Sequence, residues 1–464
     1  MRILLIKARL ASFYGQTVPP LGLLYLAAAL KADGRHDVSV LHPDALGLDD
    51  DALEAAIRAF APDLVGISAI TAEGASLHAL AALVKKARPG TPVIAGGPYP
   101  TGHALSCAAD PAITAVVRGE GELTLLELVS NLSAGRPLAG VAGTVCKDGD
   151  RIVEGPPRPF IEDLDSLPFP DWGALDLETY RLHIPQTPVL YGERYAGVLT
   201  SRGCPYNCVF CHGVMGKRYR AHSPQRVLAE LRRLRDSFSV AHVEITDDTF
   251  NWNRERAATI LRGAAEAGGQ KLYLCGIRTD LLDEEFIELM AKAGVVYVAT
   301  GAESGSQRVQ RAIRKNVDLE KFSRFSALLV KHRIFVTAGF MLGFPGETFR
   351  EMFQTLRYLW RLRVHTVMLA FCRAYAGTEL EQSVSAERVL SPFNDTEPFY
   401  GTSPGQACSS AAPWALALLK WLGNTIFYFN PARVLRILRD LPNPSQRVFL
   451  LLLSKLTQRT FFLR

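Results

Sequence analysis

Residues 1 to about 140 alternate short apolar runs with longer segments of helical periodicity. In the helical segments, such as Leu21–Ala32, apolar positions recur every three or four residues. The predicted strands are Arg2–Lys7, Val38–Leu41, Leu64–Ile67, Val93–Ala95 and Ala115–Val117. Short β-rich runs that alternate with helices predict a parallel, doubly wound α/β sheet.

The same alternation resumes at Tyr195 and continues to about residue 385. The predicted strands are 195–201, 242–247, 271–277, 295–301, 335–342 and 365–371. The predicted helices are 223–236, 253–267, 283–293, 318–332 and 348–362. Six strand–helix units predict a partial (βα)6 barrel, and parallel barrels carry their chemistry at the carboxyl ends of the strands.

Two other segments lack this alternation. The proline-rich residues 146–190 predict an irregular linker, and residues 386–464 predict a mainly helical C-terminal segment. The domains are therefore expected at 1–145, 146–190, 191–385 and 386–464. From Lys420 to Arg464 the chain carries eight basic side chains and a single acid. Such a segment is either a helical cap over the barrel or a surface that lies on an anionic membrane.

Composition narrows the class of protein. The chain is 48% hydrophobic and 21% charged, a composition typical of globular proteins. Its 464 residues leave room for two or three domains. The chain has no uninterrupted apolar stretch of 18 residues, and the apolar run after Met1 is too short for a secretory signal. We therefore expect a reducing cytoplasmic location, with membrane association through the C-terminal segment as an option. A formal net charge of +6 is modest, and no nucleic-acid partner is expected.

Three cysteines, Cys204, Cys208 and Cys211, have the spacing C-x3-C-x2-C. Three thiolates this close can hold three corners of a [4Fe–4S] cube, which normally takes four cysteines. The next cysteine is Cys275, so one iron is expected to stay open for another ligand. A structural zinc site and an electron-transfer cluster are the alternatives, although zinc sites usually pair two C-x2-C knuckles or add histidines, and only His212 is adjacent.

The run from Ser201 to Cys211 resembles the signature of radical S-adenosylmethionine (SAM) enzymes. In that family the open iron chelates the amino acid end of SAM, and reductive cleavage gives methionine and a 5′-deoxyadenosyl radical. The resemblance also implies that Phe210, just before the last cysteine, packs near the adenine.

Small and acidic residues follow three of the first domain's predicted strands, at the edge where parallel sheets bind ligands. They are Ser68, Thr71, Gly96, Gly97, Pro98, Gly119, Glu120, Gly121 and Glu122. Glycines there let a large ligand approach the backbone closely. No G-x-G-x-x-G follows the first strand, which disfavours a dinucleotide.

In this order, the three turns resemble the Rossmann-like cobalamin-binding domain that is fused to one class of radical SAM enzymes. The resemblance implies that the nine residues contact cobalamin; ordinary βα turns are the alternative. None of the ten histidines has an aspartate two residues before it, so the D-x-H-x-x-G loop that donates a histidine to cobalt is missing. We expect cobalt without a histidine ligand, and 7–20 as the loop beneath the corrin.

The strand ends of the second domain supply further candidates for SAM contacts. Asp247 and Asp248 lie at the end of the second strand and suit the SAM ammonium, with helix capping as the alternative. Arg278 follows the third strand and suits the SAM carboxylate or ribose, unless it is a surface arginine. Glu303 and Ser304 resemble the family's glycine-glutamate-serine turn, which implies contact with ribose or methionine.

Gly343 follows the fifth strand, and the resemblance implies that its backbone passes against adenine. Together these residues resemble the cobalamin-dependent radical SAM enzymes from residue 1 to about 380, including the anaerobic porphyrin cyclases. The implied reaction removes a hydrogen atom from an unactivated carbon and then transfers a methyl group from cobalamin, using two SAM molecules. The alternatives are a radical cyclisation or oxidation without methyl transfer, and a non-catalytic cobalamin or Fe–S sensor. Methylthiolation of tRNA is disfavoured, because it would require a second group of three cysteines upstream, and only Cys107 and Cys146 are there.

The expected cofactors are a [4Fe–4S] cluster, SAM and cobalamin. The expected partners are a small-molecule substrate of hydrophobic or amphiphilic character and an external electron donor such as flavodoxin or ferredoxin.

Overall fold

The structure, a computed structural model, describes residues 1–10, 16–32, 34–149, 151–384 and 407–443. They form two compact units. The first comprises Met1–Ile184 and Val214–Gly216, and the second comprises Pro185–Gly213 and the described residues from Lys217 onwards.

The first unit is built on a seven-stranded sheet. Its strands are β1 Arg2–Lys7, β2 Asp37–Leu41, β3 Leu64–Ser68, β4 Val93–Gly96, β5 Ala115–Val117, β6 Thr144–Asp148 and β7 Arg151–Glu154. The order is β2-β1-β3-β4-β5-β6-β7, with the first five strands parallel and the last two antiparallel. The order reverses between β1 and β3, and such a switch point is where open α/β sheets bind ligands.

Helices accompany this sheet. They are α1 Leu21–Ala32, α2 Pro43–Leu46, α3 Asp50–Phe60, α4 Gly74–Ala87, α5 Pro98–Gly102, α6 Ala104–Ala109, α7 Glu122–Ser133 and α8 Leu177–Arg181. In the middle of β1, from Ile3 to Ile6, the side chains on both faces of the strand are buried. A strand that is covered on both faces needs an unbroken apolar run, which explains why β1 lacks polar alternation.

The second unit contains a six-stranded, fully parallel sheet. Its strands are β8 Tyr195–Val198, β11 His242–Ile245, β12 Lys271–Leu274, β13 Val295–Glu303, β14 Phe335–Leu342 and β15 Thr366–Phe371, paired in chain order. A separate antiparallel pair joins β9 Ser201–Arg202 to β10 Arg220–Ala221. This is the predicted partial (βα)6 arrangement.

The helices of the second unit are α9 Pro224–Phe238, α10 Arg254–Ala267, α11 Glu284–Lys292, α12 Gln307–Ala312, α13 Leu319–Lys331, α14 Phe349–Arg361, α15 Pro413–Tyr428 and α16 Pro431–Asp440. Five of them lie at the predicted places, α12 was not predicted, and α15 and α16 fall in the segment predicted to be mainly helical. A side chain accepts a hydrogen bond from the first turn of most of these helices, as Ser223, Asp283 and Thr348 do. Such N-caps stabilise a helix by about 1 kcal/mol each and set its first residue.

Residues 146–154 differ from the expectation of an irregular linker. Residues 146–148 lie in β6 and residues 151–154 form β7; the two strands pair antiparallel and extend the first sheet. The Asp148–Gly149 step between the two strands is a hairpin signal, and Gly149 has a φ of 60°. The prolines that follow, from residue 156 onwards, predict a linker and mask this hairpin signal in the composition of the segment.

The described part of the C-terminal segment is helical, as predicted. Helix α16 is held by the buried Arg433, which donates to the carbonyls of Trp360 and Leu362 at 3.1 and 3.0 Å. Val448–Leu453 and the basic residues beyond 443 lie outside the described residues. Within the described ranges no helix is both long and apolar enough to cross a membrane.

Candidate active site

The cysteine loop leaves β8 and is closed at its base by the β9–β10 pair. Inside it, the Cys211 amide donates to the Cys208 carbonyl at 3.1 Å. Val209, between them, donates to Ile313 and accepts from Leu380, at 3.2 and 2.9 Å. The loop is therefore anchored to two other segments of the second unit at the residue between two cysteines.

The three sulfurs are free thiols at the carboxyl edge of the sheet. Cys204 Sγ lies 3.4 Å from the Thr249 hydroxyl, after β11. Burial raises the pKa of Cys208, and the Lys315 ammonium partly offsets that shift. In the described part of the chain, no three His, Cys, Asp or Glu side chains are arranged to hold a single metal ion.

Asp247 fastens the strand end that precedes the loop. Its buried carboxylate accepts from the Thr200 amide and the Ser201 hydroxyl, both at 2.6 Å, and from the Thr200 hydroxyl. Burial raises the pKa of Asp247, and the hydroxyls of Ser201 and Thr200 partly offset the shift. On the other side, Arg256 donates to the Thr200 carbonyl at 2.6 Å. The three bonds from Thr200 and Ser201 engage both carboxylate oxygens of Asp247.

Asp248, by contrast, is exposed and accepts from the Gly203 amide at the start of the loop. The two adjacent acids therefore differ: Asp247 is buried and locked into the fold, whereas Asp248 is an exposed residue whose carboxylate meets the cysteine loop, where partial burial raises its pKa.

Arg278 is fixed by the loop and by its own turn. Its guanidinium lies 4.2 Å from the centre of the Tyr206 ring and donates to both oxygens of Asp280. It also donates to the Lys315 carbonyl at 3.0 Å. A buried guanidinium with these partners holds the cysteine loop against the strand end that follows β12.

Glu303 and Ser304, neighbours at the end of β13, have different surroundings. Glu303 adopts a φ of 65°, which is strained for a residue with a Cβ, and accepts from Lys315 at 3.2 Å. Ser304 is fully buried, and its hydroxyl pairs with that of Thr355 at 3.2 Å and caps the Ser306 amide. Strain of this kind clusters at functional sites, which favours Glu303 over Ser304 as a group that faces a ligand.

Gly343 turns the chain after β14 with a φ of 86°, a conformation that favours glycine. The amides of Gly343 and Phe344 donate to the buried Glu347 carboxylate at 2.7 and 3.1 Å. Burial raises the pKa of Glu347 to about 7. Phe344 also packs against Phe210 of the cysteine loop, with ring centres 5.9 Å apart. The glycine turn and the loop therefore share an aromatic contact.

Five of the nine predicted cobalamin contacts lie at the carboxyl ends of β3 and β4, next to the switch point. Ser68 ends β3, and a Cβ on Gly97 would lie 3.0 Å from its hydroxyl and 2.8 Å from the Ala69 carbonyl. Gly97 has a φ of 98° and a ψ of −175°, a region open essentially to glycine alone. Gly96 ends β4, Pro98 begins α5, and Thr71 begins the short turn after β3.

The remaining predicted contacts surround the start of α7. Gly119 has a φ of 71° and donates to the Thr101 hydroxyl at 3.0 Å. Glu120 accepts from the Ile161 amide at 2.7 Å, so this carboxylate serves the chain itself. Gly121 precedes the helix, and Glu122 is buried in its first turn.

Three titratable side chains at the same edge, those of Lys7, Glu73 and His42, were not predicted as site residues. Lys7, at the end of β1 and level with Ser68, pairs with the buried Glu73. Glu73 also accepts from the Ile70 amide at 2.8 Å. His42 follows β2; burial lowers its pKa to about 3, and its ring nitrogen lies 3.0 Å from the Tyr180 hydroxyl. The sequence did contain one signal for these groups, since Lys7 is a charged residue at the end of an otherwise apolar strand.

Comparison with known proteins identifies both units. The model of the radical SAM superfamily matches residues 198–359, and that of the B12 binding domain matches residues 7–129. An uncharacterised methyltransferase of Pyrococcus horikoshii is 33% identical over 401 residues, covering 85% of each chain. An anaerobic magnesium-protoporphyrin IX monomethyl ester cyclase of Rubrivivax gelatinosus is 31% identical over 349 residues, covering 73% of this chain and 61% of that protein.

A solved structure shares the fold across both units. It is the radical SAM methyltransferase TsrM from Kitasatospora setae with cobalamin and a [4Fe–4S] cluster bound. It is 20% identical, has a TM-score of 0.73, and the match covers 93% of this chain and 91% of that one.

The chain belongs to the radical SAM superfamily, in the group that carries a B12-binding domain. It is a cobalamin-dependent radical SAM enzyme, and its cofactors are a [4Fe–4S] cluster, SAM and cobalamin. The predicted family, fold class and cofactors are confirmed.

The residues present fit these groups. The cysteine loop offers three unpaired thiols, the ligand type that Fe–S clusters take. The carboxyl edge of the first sheet, where α/β sheets bind ligands, is lined by a glycine turn at Gly97 that packs tightly against Ser68 and Ala69.

Proposed function

We propose that this enzyme transfers a methyl group to an unactivated carbon of a small hydrophobic or amphiphilic molecule. The observation that carries the proposal is the occurrence of the three-cysteine loop and the B12-binding unit in one chain. Similarity to a relative named as a methyltransferase along 85% of both chains supports it.

When bound, SAM and the cluster supply the radical that removes a hydrogen atom, and cobalamin supplies the methyl group. This chain's residues would bind and orient. Cys204, Cys208 and Cys211 would ligate iron. We assign Asp248 to the SAM ammonium, because this exposed residue places its carboxylate beside the cysteine loop.

We assign Glu303 to the SAM ribose or methionine, because its backbone is strained and its carboxylate lies at the end of β13, where it accepts from Lys315. Phe210 and the Gly343 backbone would receive the adenine, since Phe344 links the loop to that turn. Asp247, Arg278 and Ser304 are positioning residues in this proposal, because fold contacts already occupy their polar atoms.

The experiment is to supply the reconstituted enzyme, without oxygen, with methyl-labelled SAM, a reductant and an extract from a deletion strain. We expect label in one extract compound, which becomes heavier by one methylene. Flavodoxin or ferredoxin is the proposed physiological reductant and would replace the chemical one. The variant with all three loop cysteines replaced by alanine is the control.

Radical cyclisation is the second candidate, supported by the Rubrivivax relative. It predicts a product that has lost hydrogen and carries no label. That outcome would overturn methyl transfer and leave the radical SAM assignment intact.

We also propose that no protein histidine binds cobalt. The missing D-x-H-x-x-G loop supports this, and Nδ1 of His42, the histidine that follows β2, is engaged by the Tyr180 hydroxyl at 3.0 Å. Electron paramagnetic resonance of the cob(II)alamin form should show no nitrogen splitting from an axial ligand. Splitting in the wild type that disappears in His42→Ala would contradict the proposal.

Peripheral membrane contact through the C-terminal segment is the last part of this proposal. The basic and apolar composition after Lys420 supports it.

A further inference from the structure

The outer face of α15 is apolar and aromatic. Trp414, Leu418 and Trp421 are 72%, 52% and 52% exposed, and Phe429, at the helix cap, is 85% exposed. At about 100° per residue, these four positions fall within roughly 80° of one another. They therefore form one stripe along the helix, which we call the α15 stripe.

The packing of α15 prevents this stripe from turning inward. On the opposite side, the Trp360 indole donates to the Gly423 carbonyl at 3.1 Å. A Cβ on Gly423 would lie 2.8 Å from Leu356 and 2.9 Å from Leu369, so only glycine allows this close approach. Phe427 is fully buried on the same side. The orientation of the helix is thus fixed by its buried face.

The neighbouring helices carry further exposed apolar side chains. On α14, Phe349 and Phe353 are 53% and 48% exposed, and on α16, Leu435 and Leu438 are 68% and 49% exposed. Of the eighteen exposed large apolar side chains in the described residues, seven lie between 413 and 440. Scattered exposed apolar residues need no explanation, but such a concentration marks an interaction site.

The charge on this segment has one sign. Between residues 413 and 440 the only acid is Asp440, which is buried and bonded by His365 and Arg439. The Arg439 side chain is 57% exposed, and Arg436 lies close to it. The segment therefore presents positive charge beside its apolar stripe.

We propose that the α15 stripe, with the exposed apolar residues of α16, docks on a lipid bilayer that carries anionic headgroups. Tryptophans favour the headgroup level of a bilayer, and arginines beside them attract anionic lipid. A second copy of this chain fits this surface less well. A two-fold dimer through the α15 stripe would bring the arginines of both copies close together, and like charges repel. The inference rests on the proposed membrane contact and is independent of methyl transfer.

The test is flotation of the full-length protein with vesicles of phosphatidylcholine, with and without phosphatidylglycerol. We expect binding to the anionic vesicles that weakens with salt. Replacing Trp414 and Trp421 together by alanine should reduce binding by about tenfold or more. Replacing Leu105 and Leu182, which are 56% and 63% exposed in the first unit, is the matched control and should leave binding unchanged.

A second measurement does not depend on alanine variants that fold. Brominated lipids should quench tryptophan fluorescence of the wild type, and much less that of the variant with Trp414→Phe and Trp421→Phe. Uncoupled SAM cleavage in solution should be the same for all variants, which separates failure of docking from failure of the proposed reaction. Absent wild-type flotation, equal flotation of the alanine variant, or a wild-type dimer that this variant dissociates would each overturn the inference.

Discussion

At the scale of single residues, the site depends on which polar atoms the fold has already used. Asp247 and Asp248 are adjacent and of the same residue type, yet Asp247 receives three hydrogen bonds from Thr200 and Ser201, and Asp248 is exposed. A buried carboxylate with three donors is a structural clamp, and removing it would leave those donors without an acceptor.

Asp247→Ala should therefore destabilise the second unit by about 2–4 kcal/mol, the range for buried hydrogen-bond networks. It should also lower the iron content after reconstitution, because the strand end before Cys204 loses its anchor. The measurements are the urea unfolding midpoint and iron per chain.

Asp248→Ala is the matched control. It should unfold as the wild type does, within about 0.5 kcal/mol, and should weaken SAM binding instead. Equal loss of stability in both variants would contradict the distinction between clamp and ligand contact.

At the scale of elements, the edges of both sheets are built from turns that only certain residues allow. The turn after β4 depends on Gly97, whose backbone conformation is closed to side chains. The turn after β14 depends on Gly343 and on Glu347, which binds its amides.

Gly97→Ala should cost about 2 kcal/mol or more in stability of the first unit, and should lower cobalamin retention. The reasons are the strained conformation and the Ala69 carbonyl at 2.8 Å from the new Cβ. Gly90→Ala is the control, since nothing lies within 4 Å of a Cβ there. Cobalamin absorbance after gel filtration measures retention, and identical retention by the two variants would argue against a ligand at this turn.

The turn after β14 also predicts a pH dependence. The folded pKa of Glu347 is about 7, above its ordinary value of 4.5, so the folded state binds this proton more tightly than the unfolded state. This contribution is fully present below about pH 4.5 and is lost as the pH rises through about 7. Glu347→Gln should flatten this part of the stability curve. Glu230, whose pKa burial also raises to about 7, stays in both proteins, so the difference between their curves isolates Glu347. Identical slopes for the two proteins would rule out this titration.

Most elements could be predicted because their periodicity is local. Helix α1 and strands β1 and β14 occupy the predicted residues, since apolar spacing and flanking turns specify them. The β6–β7 hairpin could not be separated from the proline-rich linker by composition. For the site, the sequence predicted which residues lie at the strand ends. It did not predict which of their side chains are already occupied by contacts within the fold. Whether Ser304 faces a ligand or Thr355 depends on contacts with residues fifty positions away, which local pattern does not encode.

At the scale of the whole molecule, two sheets of different topology each present a ligand edge. The first reverses its order between β1 and β3, whereas the second pairs its strands in chain order. Each unit has its own buried core. We therefore expect each unit to bind its own cofactors even when the other unit's cofactors are missing.

The most direct test of the account is the formation of 5′-deoxyadenosine by the anaerobically reconstituted enzyme with SAM and a reductant. The wild type should form it, and the variant with Cys204, Cys208 and Cys211 replaced by alanine should form none. That variant should still retain cobalamin, which shows that the chain remains folded. Formation of 5′-deoxyadenosine by the cobalamin-loaded triple variant would contradict the assignment of these cysteines and the radical mechanism built on them.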